Sequence, residues 1–434
     1  MTEMAEVSLT QPSNAAALRL KRRYAAERRF RALGLAAICL ALGFLGVLLF
    51  TIIKNGATAF AQTKVQLEVS FDAAVLGLPE GPADAEALAA ADWIGLAKSA
   101  IQARFPAAEG RAEKRELWAL LSTGAADELR AAVKAEPKLI GTRRTLWLTA
   151  KDSVDMVIKG HVPRVPGADG AKLSDRQLAW IGDLEAAGQL SLRFNTRFFT
   201  AGDSREPELA GVWGAVVGSM YSLLITLAIC FPIGVAAAIY LEEFAPKNRL
   251  TDIIEININN LAAVPSVVFG LLGLAFFLNF LNLPRSAPLV GGLVLALICL
   301  PTIIISARAS LKAVPPSIRH AALALGASRL QTTADNVLPL AMPGIMTGTI
   351  LGMAHALGET APLLMIGMVA FIVDIPSGPF DPAAVLPVQV YLWADSAERA
   401  FVEKTSAAII VLLAFLAAMN LTAILLRKKF ERRW

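Results

Sequence analysis

A chain of 434 residues that is 55% hydrophobic and carries several long uncharged runs reads as an integral membrane protein, not a soluble domain. Its net charge of +5 does not point to nucleic acid, because the basic residues cluster beside apolar runs, which is the pattern that sets membrane topology. The three cysteines lie within apolar runs and offer no disulfide in a polar region. The histidines, His161, His320 and His355, are too far apart for metal-ligand spacing.

In chain order, a basic N-terminus (residues 1–32, with "RLKRRYAAERRFR") precedes a first apolar span, Leu33–Ile53. The small residues of "ATAFAQ" behind it would suit a cleaved signal peptide. The polar region before it and the apolar run itself are both too long for one, so an uncleaved anchor is expected. A polar insert follows, residues 54–211. In it "VQLEVSF" (65–71) alternates with period two, and "LSLRFNTRFF" (190–199) does so in part, so both read as strands. "DAEALAAADWIGLAKSAIQARF" and "EKRELWALLSTGAADELRAAVKA" read as amphipathic helices. "SDRQLAWIGDLEAAG" opens on a Ser-x-x-Gln capping box and ends at Gly188. The two strands flank the insert, so they should pair and close a small α+β domain whose ends both return to the membrane. "PRVPGADGAK" reads as a surface loop.

Five further apolar segments are long enough to span: Val212–Leu241, Leu261–Leu283, Ala287–Ala307, Leu338–Val373 and Ala407–Leu426. The fifth span of the chain, Leu338–Val373, is overlong and is expected to begin as an interfacial turn. Together residues 212–427 make a transmembrane domain, and the basic tail 428–434 ends the chain. Lys247, Arg249, Arg308, Lys312, Arg319 and Arg329 fill alternate loops, whereas Arg285, Arg399 and Lys404 are sparse in the others. This places both termini and the basic loops in the cytoplasm and the insert outside it.

Within that frame a few polar residues stand out. The loop run Ser317–Leu325 has high helix propensity, with Pro315 and Pro316 before it and Gly326 placed to end it. About 15 Å of helix cannot cross a bilayer, so its apolar face should bury in a groove on a partner. In "GMAHALGETAPLLMIGM" (352–368), His355 and Glu359 lie four apart on one helical face. A carboxylate at mid-helix costs roughly 2.5–3.5 kcal/mol in a membrane, so Glu359 is either a group on a solute pathway or a buried structural acid paired with His355 or a partner subunit's base. Thr360 can donate a hydrogen bond. Asn257, Asn259 and Asn260 enter the third span and Pro265-Ser266 interrupts it, a break tolerated where it lines a cavity or packs on protein. These asparagines serve either there or as glue between helices, while Gly270, Gly273 and Ala275 permit close helix contact. No Gly-Lys dipeptide occurs, so the chain has no P-loop. No nucleophile elbow or zinc-protease motif occurs either, and the chain is expected to be no enzyme.

The spacing Ala321-Ala322, three residues, Gly326, nine residues, Asn336-Val337-Leu338-Pro339 resembles the EAA loop of ABC importer permeases. It departs from that pattern at His320, where glutamate is usual, and at Asn336, usually aliphatic. "EININNLAAVPSVVFGLLGLAFF" (255–277) and "ALGETAPLL" (356–364) are similar to the PstA-type permease of the phosphate-specific importer, over about residues 205–434. The resemblance implies an all-α membrane protein of six transmembrane helices, MetI-like, with the α+β extracytoplasmic domain inserted between helices 1 and 2. The insert is foreign to the common pattern. The resemblance further implies a coupling helix at 316–326, in which Ser317, Arg319, His320, Ala321, Ala322 and Gly326 meet an ATPase. His355, Glu359, Thr360, Asn260 and Arg308 would belong to the phosphate pathway. His355 stands where the family tends to have arginine. The implied partners are a second homologous permease in a heterodimer, two ATPase subunits that use ATP and Mg, an extracytoplasmic phosphate-binding protein and membrane lipid, in the inner membrane of a bacterium. The chain itself would bind no cofactor. A permease for another anion or small solute is the alternative, and a membrane-anchored sensor with the insert as input domain is the alternative of another class.

Overall fold

In a computed structural model the described residues are 14–78, 85–166 and 173–430. The first thirteen residues, most of the loop "PRVPGADGAK" and the last four residues of the tail lie outside them. The chain divides at Lys54 into two units. The first holds α1, Asn14–Gly56, up to Lys54, and the expected span is the C-terminal part of this one 43-residue helix. The basic stretch before it is helical too, with Arg31 paired to Glu27 one turn back at 2.6 Å.

The second unit opens on the α+β domain. Strand β1 (Ala61–Ser70) is followed by α2 (Ala73–Leu76), α3 (Ala85–Ala90), α4 (Trp93–Arg104), α5 (Arg111–Trp118) and α6 (Gly124–Ala135). Then come β2 (Arg143–Thr149), α7 (Asp152–Ile158), α8 (Asp175–Ala186), β3 (Leu190–Phe194) and α9 (Thr196–Thr200). The strands read from sequence do pair, antiparallel, from Ala61↔Phe194 to Val65↔Leu190. A third strand, β2, escaped the pattern and pairs on the other side of β1, from Lys64↔Thr149 to Ser70↔Arg143, giving the order β2-β1-β3. Val65, Leu67, Val69 and Leu148 point to one face and pack with Leu96, Ile101, Leu117, Leu129 and Leu184 from the helices. Each such side chain contributes roughly 1.5–3 kcal/mol by leaving water.

Both long helices read in the insert are broken. The first breaks at Asp92, whose carboxylate accepts from the Gly95 amide at 2.7 Å and so caps α4. The second breaks between α5 and α6, where Ser122 N–H donates to Thr149 O and Lys151 N–H to Leu120 O. There the chain spends its backbone groups on the end of β2 instead of on a helix. The capping box forms as expected, Ser174 with Gln177, and Gly188 ends that turn at a φ of 67°.

The membrane part follows as α10 (Trp213–Ile239), α11 (Arg249–Ala262), α12 (Ser266–Gly273), α13 (Pro288–Lys312), α14 (Pro316–Ala324), α15 (Arg329–Gln331), α16 (Leu338–Gly358), α17 (Ala361–Met365), α18 (Leu386–Ala394) and α19 (Ala400–Phe430). Among the described residues five helices are long and apolar enough to cross a membrane, or six if one bent pair is a span. That bent pair corrects the third span. Arg249–Ala262 and Ser266–Phe280 meet at 98°, so the asparagines stay on exposed α11 before the break and do not enter a straight span.

The fifth span also differs from expectation. α16 stops at Gly358, far short of Val373. Pro362 explains the stop, because it has no N–H to give the Gly358 carbonyl and its ring would strike that carbonyl in a continued helix. α16 lies antiparallel on α13 along a seam of Gly344, Gly348 and Gly352, opposite Ser310, Ser306 and Ile303 in turn. That four-residue glycine spacing lets the two backbones approach closely. α18, a short helix before the last span, had no counterpart in the sequence reading.

Candidate functional site

Two clusters of polar residues occupy opposite ends of the α13–α16 pair. At one end α16 runs out at Gly358, and Glu359 sits in extended backbone just beyond it (ψ 115°). The acid is thus a helix-end residue, not the mid-helix acid that the sequence suggested. His355 Nε2 lies 3.0 Å from Glu359 Oε1, and the imidazole side is 63% exposed while the carboxylate is 16% exposed. The i,i+4 pairing is therefore real, and the pair offers a polar group outward from a shielded acid. The Thr360 carbonyl accepts from the Leu363 and Leu364 amides and starts α17. Pro362 on α17 seats against Gly270 of α12, where an added methyl would lie 2.7 Å from the Pro362 Cα. The break after α16 is thus packed on α12, in agreement with the rule that irregular backbone at membrane depth is buried in protein or lines a cavity.

The same residues keep Arg308 away. The Ser306–Gly348 contact fixes its level, and Glu359 is eleven residues beyond Gly348, about 16 Å along the helix. Arg308 instead pairs with Glu255 of α11 and stands 3.6 Å from Glu242. Asn260 makes no side-chain hydrogen bond among the described residues and is exposed on α11. Of the five pathway residues expected, the structure gathers His355, Glu359 and Thr360, and leaves Arg308 and Asn260 apart.

At the other end, α10 finishes in a wider helical turn, Tyr240–Phe244. Its Glu242 faces Arg308 and Lys312 of α13, both at 3.6 Å. Its Glu243 receives Arg319 from α14 through Nη2 at 2.7 Å and Nε at 3.1 Å. Arg319 also donates to the carbonyls of Val314 at 2.7 Å and Leu311 at 2.9 Å, so it caps the C-terminus of α13. Both partners are largely buried. Sequence reasoning had placed Arg319 on a docking surface and missed the Glu242-Glu243 pair; two acids closing an apolar run were the available signal.

With Arg319 turned inward, α14 shows its other side. It forms over the expected residues, and Gly326 ends it at a φ of 87° that only glycine adopts readily. Ala322 is buried, whereas Ser317, His320 and Ala321 are exposed, as are Leu323 and, at 90% exposure, Leu325. Leu330 continues this apolar surface. Arg319→Ala is expected to lower stability by about 2 kcal/mol, less than a fully buried pair because the guanidinium keeps some solvent. A thermal midpoint of the purified chain checks this, and faster protease cleavage near Gly326 should accompany it.

Residues 231–434 match the family described as binding-protein-dependent transport system inner membrane component, and residues 17–166 match a domain of unknown function, DUF3333. Phosphate transport system permease protein PstA 1 of Mycobacterium tuberculosis is 31% identical over 224 residues, covering 51% of this chain and 72% of that protein. Probable ABC transporter permease protein YqgI of Bacillus subtilis is 34% identical over 182 residues, 42% of this chain; the match spans 60% of that relative's length. An inward-facing structure of the MetNI methionine ABC transporter aligns with 51% of this chain and 95% of that one, at 17% identity and a TM-score of 0.40.

Proposed function

The chain belongs to the family of binding-protein-dependent transport system inner membrane components, and on that premise we propose that it is a permease subunit of an ATP-driven phosphate importer. The observation that carries the reading is α14. It is a short helix held at the end of the bundle by the buried Arg319–Glu243 pair, with Leu323, Leu325 and Leu330 left uncovered for another subunit. Such a helix in a groove can pass a partner's motion to the helices it caps. The chain has no P-loop, so hydrolysis of MgATP falls to that partner. Phosphate as solute is supported by the relatives named PstA. The further proposed partners are a second, homologous permease, two ATPase subunits in all, and a phosphate-binding protein outside. In this reading both termini face the cytoplasm and the α+β domain faces outward, the orientation that the lysine and arginine distribution favours.

In this reading His355 and Glu359 present an imidazole to the passing anion. The carboxylate orients the ring rather than touching phosphate, since like charges repel. Scrambling residues 316–326 should abolish co-purification of the ATPase while the chain still inserts; an intact complex would refute the assignment of α14. His355→Ala and Glu359→Gln should each lower uptake of radiolabelled phosphate by roughly tenfold, the loss of one charge-assisted hydrogen bond. Normal uptake in both would make the pair a structural one.

A further inference from the structure

We propose that the exposed apolar edge of the α+β domain, Leu192 and Phe194 on β3 with Phe199 of α9, rests in the headgroup layer of the membrane. The register puts Phe194 opposite Ala61 and Leu192 opposite Thr63, on the same face as Val65, Leu67 and Val69. Helices cover that face around Val65 to Val69. On β3 they leave the end nearer Phe194 bare, with Leu192 49% and Phe194 63% exposed, while Thr63 beside Leu192 on β1 is covered. A bare apolar edge strand is a hazard that proteins normally blunt.

The bare end is rigid. Phe194 stacks on Phe199 at 5.7 Å, Phe199 on Phe60 at 5.5 Å, and Phe60 meets Phe198 edge-on at 5.8 Å. Phe198 is fully buried and packs with Trp393 and Phe401. The aromatic rings thus run as a fixed series from the core to the surface, so the exposed ones lose little freedom when covered.

Its place in the chain names the occupant. Phe60 lies seven residues beyond Ile53, where the first apolar run ends. Val212 N–H donates to Phe198 O at 2.8 Å and Trp213 N–H to Ala201 O at 3.1 Å, so the patch is tied to the first turn of α10. Trp213 is itself exposed there. Aromatic side chains at the level where spans leave the hydrocarbon sit among lipid headgroups.

The test uses the full chain, with Cys39, Cys230 and Cys299 replaced by alanine, reconstituted with its co-purifying subunits in vesicles of phosphatidylethanolamine and phosphatidylglycerol. A nitroxide is attached separately at Phe194→Cys, at Leu192→Cys and at Val75→Cys, the last lying past the opposite end of β1. Collision with dissolved oxygen relative to a water-soluble nickel chelate should be about fivefold higher at 194 and 192 than at 75, as for interfacial residues. Equal ratios at all three would put the patch in water and overturn the proposal. Shielding of 194 and 192 from both reagents would assign the patch to a protein neighbour and overturn it as well. Either labelled position alone decides the matter if the other variant fails to fold.

Discussion

Lys159→Met should cost about 3–5 kcal/mol, because it strips the counter-charge from two largely shielded carboxylates. Lys159 Nζ lies 2.7 Å from Asp155 and 2.6 Å from Glu403, with side chains only 3%, 13% and 5% exposed. Asp155 in turn accepts from the Thr63 amide at 2.8 Å, and Glu403 reaches His161 at 3.2 Å, whose ring also meets Thr58 at 3.1 Å. The cluster therefore joins β1, α7, the turn after α1 and the first turn of α19 in one network. Glu403 also sits well at a helix N-terminus. The thermal midpoint of the purified chain should fall sharply in Lys159→Met and recover part of the loss in Lys159→Met with Glu403→Gln, which removes one of the two carboxylates left without a counter-charge. A single variant costing under about 1 kcal/mol would mean that water enters the cluster.

That network explains much of what was and was not legible beforehand. Lys159 and Glu403 are 244 residues apart, and nothing local in either segment announces the other. The same holds for Arg319 with Glu243 and Arg308 with Glu255: the chain shows the charges, but only the packed bundle shows which meet. Short-range physics was readable. The apolar runs marked the long helices except at the third and fifth spans, the Ser174–Gln177 box marked a helix start, and Gly326 marked a stop. β1 and β3 were paired correctly because both adjoin spans, which brings their ends together. β2 was missed because its short alternation carries Arg143 and Arg144 at its exposed end. Two further features had signals in the sequence. Pro362 forbids a helix through Glu359, and Gly344, Gly348 and Gly352 at spacing four announce a close helix contact, which the structure gives to α13. Pro265 gave the place of the break in the third span, but its 98° angle is set only in the packed chain.

A different buried acid should make the stability of the chain fall as pH rises. Glu208 lies on the linker between α9 and α10, 3% exposed, with neither carboxylate oxygen in a hydrogen bond, while Gln62 is taken up by its backbone carbonyl at 2.7 Å. Burial, with Asp152 and Glu206 nearby, pushes its carboxyl up from 4.5 to about 7. The folded chain thus holds a proton that the unfolded chain releases between pH 4.5 and about 7. In that window the folded state binds more protons, so stability declines with pH, and above it the full penalty of about 3 kcal/mol is present. Asp152, also raised chiefly by burial, adds to the same trend. Glu208→Gln copies the protonated form. It should leave the thermal midpoint unchanged near pH 4.5, raise it progressively to pH 7.5, and hold a constant gain beyond. A gain independent of pH would mean that the side chain is merely poorly packed. No gain at any pH would mean that the carboxylate finds a partner when charged, with the Ser122 hydroxyl a candidate.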